Sequence, residues 1–100
     1  MNYIYTITAI TEDGKDSRCF GFYFSEASAR LAALNNYGSM DECLYDYLVI
    51  ERQKEGIHSF ANVLQWYVWE HPDGEMGYWV IGEQPVGKRF EGITNWNGIG

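Results

Sequence analysis

The chain has 100 residues, 46% hydrophobic and 17% aromatic, with 14 acidic against 7 basic side chains and a formal charge of −7. That is the size of one domain with enough apolar surface for a core, and the aromatic share excludes a disordered chain. The charge repels a phosphate backbone, which argues against general DNA or RNA binding and in favour of docking on a basic protein surface.

Residues 2–10 alternate, with Tyr3, Tyr5, Ile7 and Ala9 on one side and Ile4, Thr6, Thr8 and Ile10 on the other, which predicts a strand. Residues 12–17 form a turn, and Arg18 to Phe24 form a second strand. A tight type I′ turn at Asp13-Gly14 places Ile7 opposite Phe20, Tyr5 opposite Phe22 and Tyr3 opposite Phe24, all on one core face. Ser25 is a good N-cap with Glu26 in the first turn, and residues 26–36 are rich in helix formers. Ala29, Ala32, Ala33 and Leu34 make a narrow stripe suited to lying close on a sheet, and Gly38 ends the helix as its C′ residue. Ser39 to Glu42 fit a capping box. Tyr45 to Arg52 read as a central strand, apolar on both faces, followed by a loop over 55–62.

Val63 to Glu70 and Met76 to Gly82 form a hairpin around Asp73-Gly74. A two-residue turn there sets Trp66 opposite Ile81, Val68 opposite Trp79 and Trp69 opposite Tyr78. Leu64, Trp66, Val68, Trp79 and Ile81 then make the core face, and Tyr67, Trp69, Tyr78 and Val80 a second aromatic face that something must cover. The Gly-rich tail, through Phe90, Ile93 and Trp96, is one candidate for that cover; a ligand, a partner or a second copy in a homodimer are others. The expected fold is a single α+β domain over 1–100, an antiparallel sheet of about five strands in ββαβββ order with one main helix on one face.

No catalytic or metal signature stands out. His58 beside Ser59 and His71 beside Pro72 read as surface residues, and His71 with Glu70 and Asp73 is the best metal cluster on offer, though a poor one. Cys19 and Cys43 form no C-x-x-C motif, and the glycines fall in no phosphate-binding pattern. The opening MNYIYTITAI lacks the basic and apolar regions of a secretory signal, and no apolar run reaches the about 18 residues of a membrane span, so the cytoplasm is the expected compartment.

Asp41, Glu42, Asp46, Glu51 and Glu55 surround the central strand and read as a solvated face, or as a mimic of a row of phosphates. Asp41, Glu42 and Asp46 with Tyr67, Trp69 and Tyr78 are therefore the candidate partner-binding set. The alternative is a sponge for a cyclic or signalling nucleotide, with Trp69 and Trp96 stacking on the base and Arg18, Lys88 and Arg89 holding the phosphates. Neither reading calls for a metal or cofactor.

Tyr3–Ile10, Asp16–Phe24, Asp41–Glu51, Gln65–Trp69 and Asn95–Gly100 together resemble a family of small phage and mobile-element proteins of gut bacteria, over nearly the full length. The resemblance carries no activity across. It implies a phage-borne accessory protein and, by analogy, a non-enzymatic inhibitor of host defence, of the anti-CRISPR kind.

Overall fold

The computed structural model describes residues 3–37, 45–54, 61–71, 77–91, 93, 96 and 97. The elements in chain order are β1 (Tyr3–Ile10), β2 (Ser17–Tyr23), α1 (Glu26–Leu34), β3 (Tyr47–Lys54), β4 (Asn62–Glu70), β5 (Tyr78–Gly82) and a 3₁₀ turn over Lys88–Phe90. The strands pair antiparallel in one five-stranded sheet of order β2-β1-β3-β4-β5. One helix packs on this sheet, so the fold is α+β as the element order predicts. The third strand starts at Tyr47, leaving Tyr45 ahead of it, and continues to Lys54.

Ser25 caps α1, its Oγ accepting from the Ser28 N–H at 3.1 Å. Ala29, Ala32 and Ala33 are fully buried against Ile7, Ala9, Leu48 and Ile50, where only small side chains let a helix approach this closely. The helix ends at Leu34, so that its C′ residue is Asn36, two positions before the predicted glycine. Asn36 takes the left-handed conformation (φ 51°), the Tyr37 N–H reaches the Ala32 carbonyl, and the Asn36 N–H reaches that of Ala33. This is a Schellman motif with Asn at C′; Gly38 and the predicted capping box lie outside the described residues.

Both predicted hairpin registers need correction. In the first hairpin the Gly14 N–H donates to the Thr11 carbonyl, and Gly14 has φ 72° while Asp13 does not have positive φ. A type I′ turn needs positive φ at both central residues, so this is a type I turn completed by a left-handed glycine. Ile10 pairs with Ser17 and Thr8 with Cys19, but a bulge at Phe20 then shifts the register, so Ile7 faces Gly21 and Tyr5 faces Tyr23. Phe20 and Tyr23 pack under α1 with the core, whereas Phe22 and Phe24 are exposed, edge to face at 5.7 Å.

In the second hairpin Trp69 pairs with Trp79, Tyr67 with Ile81 and Trp66 with Gly82, one residue from the predicted register. A two-residue turn cannot produce these pairs, because Glu70 opposite Tyr78 leaves an odd number of residues to connect them. Trp69 also lies over Gly77, where a Cβ would stand 2.3 Å from the indole. Since side chains alternate with period two, one step of slip regroups the faces. Tyr67, Trp69 and Trp79 lie under α1, and Trp66 lies on the opposite face.

That opposite face is closed by the C-terminal segment. Phe90 and Trp96 pack with Ile10, Val49 and Trp66 in a second core, Trp96 edge to face on Trp66 at 5.0 Å and Phe90 on Tyr47 at 5.8 Å. The sheet is thus buried on both sides.

Candidate functional site at the acidic end of the sheet

Antiparallel pairing brings the end of β1, the starts of β2 and β3, the end of β4 and the start of β5 to one end of the sheet. Five carboxylates belong to this end: Glu12, Asp13 and Asp16 in the first turn, Asp46 before β3, and Glu70 closing β4. Asp46 joins the strands here. Its Oδ2 accepts from the Glu12 N–H at 2.9 Å, its N–H donates to Ile10, and its carbonyl accepts from Trp69. Thr11, Glu12, Asp13, Asp16 and Asp46 line an open depression of about 310 Å³.

Asp13 accepts from the Lys15 N–H at 3.0 Å and the Thr11 hydroxyl at 2.7 Å. These bonds hold its carboxyl below the usual range, with Lys15 and Arg89 adding weaker attraction. Asp13 therefore stays anionic across physiological pH. Tyr78 pairs with Glu70 at its edge and is 48% exposed, the one member of the predicted aromatic anchors that is open to a partner.

The other predicted residues separate. Asp41 and Glu42 lie outside the described residues, as do His58, Ser59, Asp73, Glu55 and Cys43. Tyr67 is 1% exposed beneath α1 and is a core residue, because it pairs with Leu48 on the face that the helix covers. Trp69 is half-buried and engaged with Trp79, ring to ring at 5.0 Å. Of the alternative nucleotide set, Arg18 lies over Phe20 at 4.9 Å on the β2 edge of the helix side. Lys88 and Arg89 are exposed on the 3₁₀ turn beside Gly14, and Trp96 is buried on the far face. Arg18 and Trp69 thus stand on one face and Trp96 on the other, with the sheet between them.

Glu51 departs from the reading of the central acidic stretch as a solvated face. It is fully buried beneath the C-terminal segment, where its Oε2 accepts from the Trp96 N–H at 2.9 Å and its Oε1 from the Asn97 amide at 3.3 Å. Asn97 donates also to Gln53 Oε1 at 3.1 Å. Burial pushes the Glu51 carboxyl up, and the bonds from Trp96 and Asn97 oppose that shift. A signal was present in the sequence: Glu51 follows Tyr47 and Val49 at period two on a strand read as central.

No group of three or more His, Cys, Asp or Glu that could hold a metal ion occurs among the described residues. Cys19 is a half-buried free thiol whose pKa is raised by burial, the opposite of an activated nucleophile. No helix among the described residues is long and apolar enough to cross a membrane. The chain matches no protein-family model, no curated protein and no solved structure.

Proposed function

We propose that this chain is a non-enzymatic binding protein, carried by a phage or mobile element, that inhibits a bacterial defence system by setting its acidic sheet end into a basic groove of a protein effector. The observation that carries this reading is the convergence of Glu12, Asp13, Asp16, Asp46 and Glu70 at one end of the sheet, beside the half-exposed ring of Tyr78. Such a patch steers encounter with a positive surface, and an aromatic ring at its rim serves as an anchor. Trp66, Tyr67, Trp79, Phe90 and Trp96 are spent on the two cores, which leaves charge as the main feature of this end of the sheet. The resemblance to phage proteins supplies the biological setting.

Phage plating on strains that carry nuclease-based defence systems tests the reading. Expression of the chain raises plaque formation on at least one such strain, and Glu12→Lys with Asp16→Lys abolishes the rise while the thermal unfolding profile is kept. The affinity of the isolated complex falls steeply from low to high salt. No rise on any strain, or a rise that survives both charge reversals, overturns the proposal.

A further inference from the structure

We propose that β5 is the seam of a homodimer, in which a second copy adds its own β5 antiparallel and the two sheets become one. The backbone of β5 sets the register. The Trp69 N–H donates to the Asp46 carbonyl, so the Trp69 peptide groups point toward β3 and away from β5. In an antiparallel ladder the residue opposite, Trp79, then sits in a pair without mutual hydrogen bonds, and its own N–H and C=O point outward from the sheet. By alternation those of Ile81 do the same. Among the described residues no strand flanks β5 on that side.

These outward groups fit a second copy of themselves. With Val80 opposite Val80 of the second copy, Trp79 and Ile81 face each other in both directions, and each pair exchanges its N–H and C=O groups. Ile81, 65% exposed in a single chain, comes to lie beside Trp79 of the other copy. Tyr78 lies across from Gly82, where an aromatic ring covers the bare glycine backbone. No charged residue occurs within Tyr78–Gly82, and the next one, Glu83, falls opposite Gly77 and not opposite its own copy. Two chains of charge −7 can therefore meet here without opposing like charges.

The two edges of the sheet also differ. β2, at the other edge, carries Arg18 and the bulge at Phe20, both of which discourage pairing. β5 pairs with β4 without any register shift and has neither charge nor proline. The helix adds apolar surface on the same side. Arg30 reaches Gln65 of β4 at 3.3 Å and Asn36 accepts from the Trp79 indole at 2.9 Å, so α1 extends toward this edge. Leu34, four residues after Arg30, shares that side of the helix and is exposed, as is Tyr37.

Sedimentation equilibrium across the micromolar range tests the proposal. The intact chain gives twice its 11.5 kDa mass at high concentration. Ile81→Pro removes the outward donor of each copy, at an edge position where a single chain tolerates proline, and raises the dissociation constant about 100-fold. Ile81→Lys, at a site exposed in the single chain, does the same by placing a charge in the seam. Hydrogen exchange reads the seam without any substitution: the Trp79 and Ile81 amides are protected when concentrated and exchange quickly on dilution. A chain that is monomeric over the whole range, a dimer that both variants leave intact, or protection of these amides that ignores concentration would each overturn the proposal.

Discussion

Glu51 shows how a single charge can be held inside a sheet that is closed on both faces. Its carboxylate has lost all contact with solvent and is held by the Trp96 N–H and the Asn97 amide, with no cation among its hydrogen-bond partners in the described residues. Burial raises its folded-state pKa above the unfolded value of about 4.3, so the folded chain binds the proton more tightly than the unfolded chain does. The resulting contribution to stability is full below the unfolded pKa and is lost as pH rises through the raised folded value. Glu51→Gln removes the charge while keeping an oxygen for Trp96. The variant is expected to melt at or above the wild-type temperature at neutral pH, with the difference shrinking toward pH 4; a loss that grows toward acid would contradict this. The tryptophans make a second statement at this scale. Trp66 and Trp79 are buried on opposite faces, so Trp66→Ala and Trp79→Ala should each cost about 3–5 kcal/mol in urea unfolding. Trp69, half-buried at the rim, should cost clearly less.

Helix α1 is defined by its ends as much as by its alanines. Ser25 supplies the N-cap and Ser25→Ala should cost about 1 kcal/mol, read from thermal unfolding. At the other end Asn36 both adopts φ 51° and accepts the Trp79 indole N–H. Two substitutions separate these roles. Asn36→Gly loses the side-chain bond and keeps an unstrained backbone, whereas Asn36→Ala loses the bond and adds the left-handed penalty, so alanine should be the less stable by about 1 kcal/mol. Among the strands, the bulge at Phe20 decides what the edge presents. It turns Tyr23 toward the helix and leaves Phe22 and Phe24 to solvent.

At the scale of the whole molecule, the C-terminal segment is part of the core. Phe90 and Trp96 complete the second hydrophobic cluster, and the bond from Trp96 to Glu51 joins that segment to the central strand. Truncation after Glu91 removes Trp96 and Asn97, exposes Trp66 and Val49, and strips Glu51 of both donors. The truncated chain should lose cooperative unfolding or melt far lower and bind a hydrophobic dye. Unchanged cooperativity would show that the helix-side core suffices alone. Covering both faces leaves the rims of the sheet for the two proposed interactions: the acidic end for a basic partner, and the β5 edge, unflanked among the described residues, for a second copy.

Much of this was legible in the residues themselves. Period-two alternation over Tyr3–Ile10 and within Tyr45–Arg52, the Ser25 cap and the three alanines of the α1 stripe (its fourth member, Leu34, is exposed) follow from local sterics and hydrogen bonding, so the ββαβββ order and the fold class could be read directly. The carboxylates of the first turn were visible as composition, but their meeting with Asp46 and Glu70 depends on strand order, which pairs residues far apart in sequence. The registers were beyond reach for a similar reason. The bulge at Phe20 and the odd-length connection between Glu70 and Tyr78 each move the pairing by one residue, and with a period of two that single step exchanges core for surface. Local sequence thus determined which segments are strands and which is helix. Only the tertiary structure decided that Tyr67 is buried, that Glu51 lies under Trp96, and that aromatic residues on both faces belong to the fold, because burial is set by what packs across the sheet.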